Sequence, residues 1–174
     1  MYRGSGGLLQ KSHKIHDGAV ELIKGAIPSL RCSPDSEIDE GAIEKIIQLK
    51  ERLEKHYKGF KFVRLDKNGK KSEPVINPTE TLMSKIMLGS LGCVPAFDRY
   101  FIAGMKVNGL ENRRFNEKGL QELFGFLASD QCELQKARII IKDKSDTYYS
   151  DMKILDMYFW QKGFEKEIKG NGAK

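Results

Sequence analysis

The chain has 174 residues, 40% of them hydrophobic and 31% charged, with a formal net charge of +6. That length suits one domain able to bury about two-thirds of its unfolded surface, which excludes a disordered chain and removes any need for a disulfide or metal staple. No apolar run reaches the roughly 18 residues of a membrane span, and MYRGSGGLLQKSHK has no hydrophobic signal core, so a cytoplasmic protein with no membrane partner is the default expectation.

Helical periodicity dominates the chain. Residues 7–25 carry Leu8, Leu9, Ile15, Ala19, Leu22 and Ile23 on one stripe, with Pro28 expected to end the helix. Ser36-x-x-Asp39 reads as an N-cap pair. Behind it Ile43, Ile46, Ile47, Leu49, Leu53 and Tyr57 recur at helical spacing, opposite a charged face of Glu44, Lys45, Lys50, Glu51 and Lys55. From Lys58 to Ile76 the pattern changes, and Asn68-Gly69 between FKFVRL and EPVI predicts a hairpin or an extended loop.

Asn77 as cap, Pro78 at the first helical position and Glu80 reaching back predict the next helix, which Gly92 stops after Leu91. Pro95 opens an apolar helix over about 96–106. Asn116 caps another with Leu120, Leu123, Phe124 and Leu127 on its stripe, and Asp130-x-x-Glu133 opens one that reaches about Lys142. The last helix, from Asp151, is apolar almost all round and is expected in the core. The resulting fold class is mainly α: a single-domain bundle of about six helices over residues 1–168, with a small β-hairpin near residues 60–76 and a disordered tail at 169–174.

Between Leu82 and Met105 only Lys85, Asp98 and Arg99 are charged. A charge among apolar residues is costly unless paired or used, so Lys85 and Asp98 are the candidate catalytic residues. The Gly-Cys-Val-Pro turn folds the second helix back beside the first and can bring Asp98 toward Lys85. An amine desolvated by apolar neighbours gives up its proton more readily and can form a Schiff base, while a nearby carboxylate can shuttle the proton. The structural alternative has Lys85 reaching out to solvent and Asp98 capping a helix or pairing with Arg99 or Arg114.

Ser84-Lys85, the apolar helix after it and Pro95-Ala96-Phe97-Asp98 resemble a pattern of the helix-hairpin-helix DNA glycosylase superfamily, in its 8-oxoguanine-glycosylase-like branch. The C-terminal Asp156-Met157-Tyr158-Phe159-Trp160-Gln161 is similar to a closing helix of small members of that group. The resemblance implies an all-α fold that binds duplex DNA, with Lys85 attacking the sugar C1′ of a flipped damaged nucleotide and Asp98 assisting. Where that family carries a Gly-x-Gly turn that grips a phosphate, this chain reads Asn77-Pro78-Thr79-Glu80, and Glu80 would repel phosphate. No aromatic residue offers itself for stacking a flipped base.

The positive charge is spread along the chain, which permits a nucleic-acid partner without demanding one. Arg3, Lys11, His13, Lys14 and Arg99 are the candidate nucleic-acid contacts. Arg3-Gly4-Ser5-Gly6-Gly7 lacks the Gly-Lys-Ser/Thr of a P-loop, and His13 and His16 share a helix face without a third metal ligand. Cys32, Cys93 and Cys132 form no metal-ligand pattern, so free, mostly buried thiols are expected and neither cofactor nor metal is called for; Cys93, after Gly92, is the one with a catalytic alternative. Tyr148 and Tyr149 can stack on bases or form the edge of the core. Asp156, in an apolar helix, is expected to pair with a buried cation, Arg99 or Lys85. The alternative function is a non-enzymatic helical regulatory or protein-interaction module.

Overall fold

The computed structural model describes residues 8, 11–129 and 131–171, with backbone alone at 131, 132, 170 and 171. Arg3, the glycine-rich N-terminus, Leu9, Asp130, the Cys132 side chain and residues 172–174 lie outside that description. Among the described residues the chain forms seven α-helices and one two-stranded hairpin, the mainly α domain that the periodicity predicts.

The first helix starts later and ends later than its stripe suggests. A single 3-10 turn, His13–His16, leads into α1 (Asp17–Leu30), and Pro28 sits inside the last turn. So close to the end the missing proline N–H removes a single intrahelical bond, while Arg31 N–H still reaches the Ile27 carbonyl at 3.2 Å. Asp39 caps the short turn Glu40–Ala42, accepting from Gly41 N at 2.9 Å, and that turn feeds α2 (Ile43–Lys58). Ser36 is not part of the cap; its hydroxyl bonds Ser33 Oγ at 3.0 Å.

β1 (Arg64–Leu65) and β2 (Lys71–Ser72) pair antiparallel, Arg64 opposite Ser72. Asp66 Oδ1 accepts from Asn68 N and Lys70 N, both at 2.8 Å, and Gly69 supplies the positive φ the turn needs.

α3 (Glu80–Leu91) is capped by Thr79, two residues after the expected Asn77, with Thr79 Oγ1 accepting from Leu82 N at 3.1 Å. Glu80 does not reach back. The 111–116 loop lies across this helix start, and Glu80 accepts from Phe115 N and Arg114, each at 3.2 Å. Gly92, left-handed at φ 71°, ends α3 as expected. α4 (Arg99–Val107) begins three residues beyond the expected 96, because other elements already hold the peptide groups of Ala96 and Phe97. Asn116 caps α5 (Glu117–Ser129), accepting from Gly119 N at 3.0 Å. α6 (Gln131–Ser145) outlasts its expected end at Lys142. α7 (Asp151–Asn171) takes 169–171, expected in a tail, into its last turn.

The most extensive helix contact joins α4 to α7. A Cβ on Gly104 would stand 1.9 Å from the Phe159 carbonyl oxygen, and one on Gly163 would stand 1.9 Å from the Tyr100 carbonyl oxygen. The two backbones therefore touch, and only glycine fits at either position. Phe101 and Phe159 meet edge-on beside the crossing, and Phe97 stacks on Phe115. Substituting either glycine forces the helices apart. Gly104→Ala and Gly163→Ala are each expected to cost about 1–3 kcal/mol in denaturant unfolding. Gly125→Ala, whose Cβ meets nothing within 4 Å, should instead gain about 0.5–1 kcal/mol.

Candidate active-site cleft

The connector from Gly92 to Asp98 carries no regular structure, yet its peptide groups are held from both sides. From α3, Thr81 Oγ1 donates to the Phe97 carbonyl at 2.7 Å, and Ser84 Oγ, fully buried, accepts from Phe97 N at 2.9 Å. From the α7 side, Ser150 Oγ donates to the Gly92 carbonyl at 2.8 Å and Asp156 Oδ1 accepts from Ala96 N at 2.9 Å. Each bond satisfies a peptide group that would otherwise be buried without a partner.

This clamp sets Asp98 at the head of α4. Its Oδ1 accepts from Tyr100 N and Phe101 N, both at 3.1 Å, which caps the helix. Its Oδ2 lies 3.2 Å from Lys85 Nζ. The two expected roles of Asp98, cap and lysine partner, thus coexist, one on each oxygen. Asp98 does not pair with Arg114, which is engaged by Glu80, or with Arg99, whose guanidinium meets Glu167 at 3.3 Å. The Lys85 side chain is 39% exposed and that of Asp98 19%, so the pair is open to solvent from one side.

That side is a cleft of about 530 Å³, walled by Lys85, Leu88 and Asp98 on one flank and by Lys153, Asp156, Met157, Trp160 and Gln161 of α7 on the other. Asp156 is only 7% exposed. Its partner is neither Arg99 nor Lys85. Lys153, one turn back on the same helix, reaches it at 2.9 Å, because the α4–α7 crossing leaves Asp156 facing the connector. Trp160 supplies the aromatic surface that the sequence reading lacked. Its ring stacks on Phe164 at 5.1 Å and meets the edge of Tyr100 at 5.0 Å. Residues 153, 156, 157, 160 and 161 follow the i, i+3, i+4, i+7, i+8 spacing of one broad face of α7, which is the signal that could have found them.

The other candidate residues are elsewhere. Lys11, His13 and Lys14 are exposed on the segment before α1, and none lines the cleft. His16 Nδ1 bonds the Tyr57 hydroxyl at 2.9 Å, and no metal-binding cluster occurs among the described residues. Cys93 is fully buried, and burial pushes its thiol up; burial, then Glu37, pushes Cys32 up to about 12. Both thiols stay protonated at neutral pH, which removes the catalytic reading of Cys93. Tyr148 donates its hydroxyl to Glu37, and burial together with that acceptor pushes its pKa up.

No family model, curated protein or solved structure matches this chain. No helix among the described residues is long and apolar enough to cross a membrane.

The two aspartates differ in what their loss exposes. Asp156→Ala strands the buried Ala96 N–H and should cost about 2–3 kcal/mol in chemical denaturation. Asp98→Ala removes a cap, worth about 1 kcal/mol. Asp98→Asn keeps the cap and loses only a half-exposed ion pair, so it should cost under about 1 kcal/mol.

Proposed function

We propose that the chain is a DNA-binding protein of glycosylase-like fold that excises a damaged base, with Lys85 as nucleophile and Asp98 as its assisting carboxylate. One observation carries this reading: Lys85 Nζ and Asp98 Oδ2, 3.2 Å apart, open together onto a cleft that also offers Lys153 and Trp160. An ammonium cannot attack carbon, so the nucleophile needs an acceptor for its proton. Asp98 Oδ1 is committed to two backbone N–H groups, which leaves Oδ2, on the lysine side, as that acceptor. The amine nitrogen then bonds C1′ as the glycosidic bond breaks. The base departs with the electron pair of that bond, and the proton held on Asp98 passes to it. Trp160 gives an extrahelical base an aromatic surface, and Lys153 adds positive charge for the sugar-phosphate beside it.

The attached amine then gives a proton back to Asp98, the C1′–O4′ bond of the sugar breaks as O4′ takes that proton, and the opened sugar is left as a covalent imine that borohydride reduces. On duplexes carrying an oxidised base or an abasic site, the wild type is expected to form a trapped adduct, Lys85→Ala none, and Asp98→Asn at least about a hundredfold less. Binding should weaken steeply with salt as phosphate contacts release counterions. No adduct on any lesion, with no binding at low salt, would favour the non-enzymatic interaction module instead.

A further inference from the structure

A second cavity, of about 420 Å³, shares Lys85, Leu88 and Lys153 with the cleft and lies toward the C-terminal end of α3. Its other walls include Arg31, Gly89, Gly92 and Tyr149. The electrostatics of the two spaces differ. In the cleft each lysine faces a carboxylate, Lys85 with Asp98 and Lys153 with Asp156. The second cavity is lined by the same two lysines, each already paired on its cleft side, and by Arg31, with no carboxylate among its lining residues. On the Tyr148 side, Glu37 and Asp151 lie behind the wall and share Arg138, at 3.1 and 2.7 Å. Arg31, exposed just after α1, has no carboxylate partner among the described residues, which makes it the cavity's one unpaired basic group among them.

A concave site with excess positive charge selects an anion, and a planar guanidinium matches a phosphate in particular. Its size falls within the range of small-ligand sites. Gly89 sits on the rim one helical turn past Lys85, exposed, with nothing within 4 Å of where a Cβ would stand, so a ligand chain can cross there from one space to the other. Tyr149, half-buried, offers an apolar wall for a sugar or base.

We propose that this cavity is a phosphate-ester subsite, which holds the phosphate and nucleotide flanking the one presented to Lys85. The subsite rests on the nucleic-acid half of the reading above and not on its chemistry. The cleft is where a base is attacked; the Arg31 cavity fixes the register of the strand that delivers it.

The test titrates the full chain with a 5′-phosphorylated thymidine dinucleotide, followed by amide NMR, in wild type, Arg31→Ala, Gly89→Ala and Gly89→Glu. Neither position is packed, so Arg31→Ala should keep the wild-type melting temperature, the Gly89 variants should melt at or slightly above it, and Gly89→Ala should bind as wild type. Shifts at the Gly89, Ser90 and Gly92 amides are expected, with affinity reduced at least about tenfold in Arg31→Ala and lost in Gly89→Glu. Absence of dinucleotide binding by the wild type overturns the proposal. So do shifts confined to the Trp160 side, or unchanged affinity in both Arg31→Ala and Gly89→Glu. Borohydride trapping on the same preparations separates the two readings. An adduct at Lys85 with affinity indifferent to Arg31 sinks the subsite and leaves the catalytic reading standing. Arg31-dependent binding without any adduct sinks the chemistry and keeps the subsite.

Discussion

Two backbones in contact set the rest of this structure. At Gly104 and Gly163 the α4 and α7 helices meet with no room for a single methyl group. Such a crossing fixes both the separation of the helices and their register. With α7 held in that register, Asp156 falls opposite Ala96, Lys153 lies one turn before it, and Trp160 lies beside Tyr100. Both α7-side bonds to the connector, and a whole flank of the cleft, therefore follow from two missing side chains. The aromatic contacts around the crossing add apolar burial, but they would tolerate a different spacing; the glycine contact would not.

The connector shows how an irregular segment is made definite. Seven residues without a ladder of their own would normally leave buried peptide groups unpaired. Here hydroxyls from α3, the Ser150 hydroxyl just before α7 and a carboxylate of α7 take that role, and Asp156 is the one charged member. A buried carboxylate is tolerated because its two oxygens are both in use, one on a peptide N–H and one on an ammonium. Asp98 repeats the arrangement closer to solvent. In each of these aspartates one oxygen holds backbone N–H and the other meets a lysine.

Local signals predicted local outcomes well. Gly92 at a helix end, Asn116 before one and the Asn-Gly turn all act through their own or adjacent peptide groups, and all three act as read. The approach of Lys85 to Asp98 was legible for the same reason, since a Gly/Pro turn of known length joins their helices. Boundaries governed by distant partners were not. Glu80 serves the 111–116 loop, Asp39 acts without Ser36, and α4 starts late because Asp156, sixty residues away, holds Ala96 N. Gly104 and Gly163 gave no signal, because a glycine inside an apolar helix looks the same whether it packs against a backbone or against nothing, as Gly125 does. Trp160 belongs to a sequence motif that says nothing of its place in the cleft, which only the helix crossing determines.

The zero-clearance crossing also limits how the cleft can move. Sliding α7 along α4 would drive a carbonyl oxygen into the neighbouring helix, so the two travel as one rigid body on the timescale of domain breathing. The α3 flank is tied to that body through the clamped connector, and its last turn is held to the segment after α1 by Cys32 N–H, which donates to the Leu91 carbonyl at 2.8 Å. Neither wall is free to swing. Adaptation to a bound molecule then falls to rotamer changes in Lys85, Lys153 and Gln161, which occur in picoseconds to nanoseconds, faster than any loop could close. A cleft between two such fixed walls would adjust to a molecule by side-chain rotation alone, so its rate of engagement would be that of encounter.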